Sequence, residues 1–123
     1  MEIDIKVLRE VLGKDISEFS ITGNTLNYVV SNYETEEDGE LVYIDLGTNI
    51  NIYELAHKCK EWARDNDFFL RSFYDYEGAF CYISAPEWVD KIDIPKTGFS
   101  SETEPESIIE ACEYILQQNK KGI

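Results

Sequence analysis

Ile50-Asn51-Ile52-Tyr53-Glu54-Leu55-Ala56-His57-Lys58-Cys59-Lys60-Glu61-Trp62-Ala63 is the stretch that sets the fold. Within it Ile52, Leu55, Ala56, Cys59, Trp62 and Ala63 fall at i, i+3, i+4, i+7, i+10 and i+11, one continuous stripe of an α-helix. Asn51 and Glu54 form an N-x-x-E variant of the capping box, in which side chains take up the free N–H groups of the first turn. Ile50 and Leu55 stand where a hydrophobic staple closes. A helix with one apolar face needs an apolar surface to lie on, and the flanking sequence supplies it.

Downstream, residues 68–74 and 79–84 predict a hairpin across Asp75-Tyr76-Glu77-Gly78. A connection holding Pro86 and Pro95 leads to a short strand over 97–100. The last helix opens at Thr103-Glu104-Pro105-Glu106, with Thr103 and Glu106 as a capping box and Pro105 in the first turn, where its missing N–H costs nothing. Ile108, Ala111, Cys112 and Ile115 give its apolar stripe, and Lys120-Lys121-Gly122 suit the negative end of the helix dipole. Upstream, Ile3, Val7, Leu8, Val11 and Leu12 predict a short helix over 3–12, ended by Gly13. Strands over 19–21, 26–30 and 41–46, joined by Thr22-Gly23-Asn24 and an acidic connection over 33–40, predict an antiparallel meander. The order is α-βββ-α-ββ(β)-α. That is an α+β protein, antiparallel sheets with helices packed on their faces. Its 123 residues suit one domain, 1–123, with sub-units 1–48 (helix plus meander) and 49–123 (α-ββ(β)-α). The first five elements share their order with double-stranded-RNA-binding domains. Those domains need basic residues where Asn51 and Glu54 open this helix, which excludes that reading.

Charge narrows the function classes. The chain carries 25 Asp and Glu against 11 Lys and Arg, a formal net of -14. Nucleic acid and anionic membrane are both repelled, because binding them requires Lys and Arg to displace counterions. A basic protein partner is allowed. With 43% hydrophobic and 13% aromatic residues the chain folds despite its charge. Cys59, Cys81 and Cys112 are odd in number and widely spaced, against a disulfide framework. Residues 1–12 have no continuous apolar core of a signal peptide, and no apolar run approaches the roughly 20 residues that span a bilayer. The expected setting is reducing and cytoplasmic.

His57 is the single histidine, which excludes mechanisms that need two. It lies two residues from Cys59 on a helix, so the pair points to different faces and does not share a metal. Cys59 and Cys112 read as small core residues and His57 as solvated. Glu34, Glu36, Asp38, Gly39 and Asp45 fall at positions 1, 3, 5, 6 and 12 of an EF-hand-like loop, though strands rather than helices flank it. Seven aromatics, Phe68, Phe69, Phe73, Tyr74, Tyr76, Phe80 and Tyr82, crowd one hairpin. Part of that set is core. Alternation does not bury them all on one sheet face, so Tyr74 and Tyr76 near the turn, with Trp88 beyond, are expected outside. The plain alternative is a well-filled core with ordinary hairpin tyrosines. No phosphate loop, zinc-finger spacing or HExxH occurs, so no catalytic residue, metal site or cofactor is assigned.

The helix over 51–63 resembles the opening helix of small uncharacterised bacterial proteins. Thr103-Glu104-Pro105-Glu106, followed by Ile109-Glu110-Ala111-Cys112-Glu113, resembles their closing helix. A strand followed by this TEPE helix is similar to the phage ABA-sandwich domain of small phage and mobile-element proteins. The matches cover residues 49–64 and 98–117. They are capping and packing motifs, so the resemblance implies a fold and carries no activity. It also implies a mobile-element setting, in which small acidic proteins act as inhibitors that present carboxylates where phosphates would sit.

The expected function is a small acidic, non-enzymatic binding protein, an inhibitor or modulator occupying a basic nucleic-acid-binding surface of a protein partner. Glu34, Glu36, Glu37, Asp38, Glu40, Asp75 and Glu77 supply charge, with Tyr74, Tyr76 and Trp88 as anchors. Divalent-cation binding through residues 34–45 ranks second. A small hydrolase-like activity, needing a buried carboxylate or Cys81 beside a pocket, ranks third. A homodimer through an apolar helix face is also compatible with the pattern.

Overall fold

Asn51 ends a strand, and the helix begins at the next residue. Its side chain accepts the Tyr53 N–H at 2.8 Å, and the Ile52 N–H donates to the Asn24 carbonyl at 2.8 Å, in the turn of the first hairpin. The computed structural model describes residues 1–35, 39, 41–86, 94–95 and 97–121, with side chains for 1–30, 39, 47–86, 94–95 and 97–118. The elements are α1 (Ile5–Leu12), β1 (Ile16–Thr22), β2 (Thr25–Thr35), β3 (Leu41–Asn51), α2 (Ile52–Asp65), β4 (Phe69–Asp75), β5 (Gly78–Ser84), β6 (Phe99–Ser101) and α3 (Glu104–Lys121). The order is α-βββ-α-βββ-α, the α+β class the sequence predicts.

Two three-stranded antiparallel sheets result, ordered β1-β2-β3 and β4-β5-β6. The meander is longer than its apolar alternation suggests. β3 continues through Gly47-Thr48-Asn49, which pair with Val29, Tyr28 and Asn27 by backbone alone. Side-chain pattern does not report such a ladder, because the hydrogen bonds belong to every residue type. The first helix starts two residues later than its apolar pattern. Asp4 caps it by accepting the Lys6 N–H at 2.9 Å, and Gly13 at φ 63° ends it in the left-handed region. Ile3 remains buried just ahead of the cap.

α2 and α3 pack on each other and on one face of the β4-β5-β6 sheet. Leu70, Cys81 and Ile83 meet Cys59, Ala63, Ile108, Ile109, Ala111, Cys112 and Ile115 there. The same core cluster takes in Val7 and Leu8 of α1 and Ile16, Leu26, Tyr28 and Ile50 of the first sheet. Small side chains at Ala63, Cys59, Ala111 and Cys112 let the two helices approach. All three cysteines are buried and free, as expected for Cys59 and Cys112. Among the described residues no helix is long and apolar enough to cross a membrane.

Candidate protein-binding surfaces

Period-two alternation divides the aromatic hairpin. Leu70, Ala79, Cys81 and Ile83 point to the helices, and Phe69, Arg71, Phe73, Phe80 and Tyr82 share the other face. The hairpin therefore contributes few rings to the core. Phe68, at the entry to β4, is fully buried, whereas Phe69 and Phe73 are 47% and 46% exposed. The inward places go to small and aliphatic residues because the closely packed helices leave little room. On the outer face the Phe73 ring stacks on Tyr82 at 5.5 Å and meets Phe80 at 5.9 Å. Gly98 lies against the Tyr82 ring, where an added Cβ would come within 2.9 Å of it.

At the tip, Asp75 and Gly78 close a two-residue loop of Tyr76 and Glu77. Asp75 Oδ1 accepts the Glu77 N–H at 2.8 Å, and Gly78 takes φ 123°, which only glycine adopts without strain. Tyr74 and Tyr76 stand out at 67% and 94% exposure, flanking one carboxylate and followed by another. The structure thus brings Tyr74, Asp75, Tyr76 and Glu77 together as an exposed aromatic and acidic tip. Glu36, Glu37, Asp38, Glu40 and Trp88 lie outside the described residues, as do the side chains of Glu34 and Asp45. The EF-hand-like run falls largely in the same range. Among the described residues no three His, Cys, Asp or Glu are grouped to hold a metal ion.

A second acidic surface lies along α3. Glu106, Glu110 and Glu113 line a shallow groove of about 620 Å³ with Glu2, Met1, Phe99 and Tyr114. The rings of Phe99 and Tyr114 meet at 5.6 Å and 53°. Glu113 is half-buried, and its Oε1 accepts the Asp4 N–H at 2.9 Å. Burial raises its pKa above the ordinary carboxylate value; the hydrogen bond from Asp4 opposes this, and the Asp4 and Glu110 carboxylates add to it. A lysine or arginine side chain fits this chemistry. Its charge would lie beside carboxylates while its aliphatic stem ran along the rings. The sequence held a signal for this surface, since Glu106, Glu110 and Glu113 recur at i, i+4 and i+7. What it lacked was the opposite wall, which Met1, Glu2 and Phe99 bring from elsewhere in the chain.

His57 and the cysteines do not meet. His57 is exposed and pairs with Glu61 at 3.2 Å. It borders a cleft of about 170 Å³ between α2 and α3 with Tyr53, Lys60 and Glu104, whose carboxylate accepts the Ser72 hydroxyl at 2.6 Å. Cys81 is fully buried and is not part of the cleft's lining. Burial pushes its thiol up to about 12, against a smaller lowering by Lys60. Cys112 is also raised, by hydrogen bonding with Cys59 and by burial. Such thiols stay protonated and are poor nucleophiles. No protein-family model, no curated protein and no solved structure matches this chain.

Proposed function

We propose that this is a small acidic, non-enzymatic binding protein of phage or mobile-element type. It occupies a basic, nucleic-acid-binding surface of a protein partner as an inhibitor or modulator. The observation that carries this reading is the α3 groove, which Glu2, Glu106, Glu110 and Glu113 line together with Phe99 and Tyr114. Carboxylates held about a side chain apart on a rigid helix offer lysine and arginine what a phosphate backbone offers them. The formal net of -14 steers a basic partner inward over distances longer than any contact. The hairpin tip, with Tyr74, Asp75, Tyr76 and Glu77, and the acidic residues Glu34, Glu36, Glu37, Asp38 and Glu40 add to that field. Trp88 completes the set of aromatic anchors.

The test is capture from the source cell's lysate at low and at high salt, followed by competition with duplex DNA. A basic nucleic-acid-handling protein should be retained at low salt, lost at high salt and displaced by DNA. With that protein in hand, Glu106→Gln combined with Glu110→Gln should slow association about tenfold and flatten its salt dependence. A retained partner that DNA does not displace, or an unchanged association rate, overturns the proposal.

A further inference from the structure

The outer strands of the two sheets differ in how they are protected against pairing with further strands. β1 carries an irregularity between Ile16 and Glu18, and β6 is only three residues long. Both are devices that blunt a sheet edge. β4 has neither. Its seven residues, Phe69-Leu70-Arg71-Ser72-Phe73-Tyr74-Asp75, run in unbroken register with β5 and contain no proline, lysine or glycine. Among the described residues its other side has no strand partner. Phe69, Arg71, Phe73, Tyr74 and Asp75 are all exposed. Among the described residues Arg71 also has no ion-pair partner.

The register shows which backbone groups are free. Asp75 and Gly78 flank a two-residue loop and exchange the first pair of ladder bonds. Counting back by twos, Phe73, Arg71 and Phe69 spend their N–H and C=O groups on β5. Leu70, Ser72 and Tyr74 therefore direct theirs outward.

We propose that β4 pairs antiparallel with β4 of a second copy of this chain, about a two-fold axis at Phe73. The two three-stranded sheets then become one of six strands. In that register Ser72 and the partner's Tyr74 exchange the outward hydrogen bonds. Arg71 lies directly opposite the partner's Asp75, twice over by symmetry, and the two Phe73 rings face each other. Moving the axis to Ser72 sets Arg71 against phenylalanine. Moving it to Arg71 sets two guanidinium groups against each other. Moving it to Tyr74 sets Arg71 opposite Glu77, which belongs to the loop beyond the strand, so among pairings within β4 charge complementarity selects the axis at Phe73. Net charge opposes the pairing, because each copy brings a formal -14. Exposed ion pairs are weak, so relief of that repulsion dominates and added salt strengthens the dimer. Capture of a basic partner weakens with salt, so the two behaviours have opposite signs and can fail separately.

Sedimentation of the full chain at low and high salt is the experiment. A species of twice 14.2 kDa should grow with salt and with concentration. Arg71→Glu alone and Asp75→Lys alone each set like charges opposite one another twice and should weaken it several-fold, while mixing the two variants restores a dimer, since each then supplies what the other lacks. Phe73→Cys should cross-link to itself under mild oxidation, because opposed residues at such a position stand about 4.5 Å apart, within disulfide reach. Phe69→Cys, four residues from the axis, should not. A monomer at every salt concentration, a mixture of variants that stays monomeric, or cross-linking of Phe69→Cys as fast as Phe73→Cys overturns the proposal.

Discussion

Glu113 joins the first helix to the last and sits half-buried while doing so. Because its folded-state pKa is raised, the folded chain holds this proton more tightly than the unfolded chain does. The stabilisation is fully present below the ordinary carboxylate value and is lost as pH rises through the folded pKa. At neutral pH the ionised side chain therefore carries a desolvation cost, modest because water still reaches part of it. Glu113→Gln keeps an oxygen for the Asp4 N–H and removes the charge. Its melting temperature should exceed that of the parent at neutral pH, and the difference should shrink as pH falls into the carboxylate range. Thermal unfolding across that range decides it. A shift equal at every pH would mean that something other than charge is responsible. Residue identity alone did not mark Glu113 out, because 25 acidic side chains look alike until one is placed beside Asp4 and Glu110.

At the scale of elements, capping carries the most information. Asn51 accepts the Tyr53 N–H, so Asn51→Ala should cost about 1 kcal/mol in urea unfolding. A cost near zero would mean that the Ile52 to Asn24 hydrogen bond holds the helix start unaided. α2 was legible because cap, staple and apolar stripe agree within one short stretch. α3 was legible for the same reason, with Thr103 Oγ1 accepting the Glu106 N–H at 3.4 Å. The far half of β3 was not, since Gly47-Thr48-Asn49 express no alternation. The hairpin was read correctly as a hairpin, and Tyr74 and Tyr76 do stand outside it. The division of its phenylalanines was not legible. Which face receives Phe73 rather than Cys81 depends on the small residues that α2 and α3 present, and that is decided by tertiary packing. The α3 groove was half legible. Its helical wall is written in the spacing of three glutamates, and its other wall is set by how the chain folds back.

For the whole molecule, charge sets the response to its surroundings. Self-repulsion among carboxylates extends over a Debye length, about 10 Å at 0.1 M salt, and Glu106, Glu110 and Glu113 crowd one groove with Glu2. Added sodium chloride should therefore raise the melting temperature of the isolated protein. A flat response, followed by calorimetry, would mean that the repulsion contributes little to stability. The hydrogen bond between Asp4 and Glu113 joins residues 109 apart in sequence. Closing a loop of that length has the largest entropic cost of any hydrogen bond described above, and nothing local helps to form it. The Asp4 amide should therefore open to solvent sooner than the amides of β2 and β5, and the groove beside it with it; hydrogen exchange of the folded protein reads that difference.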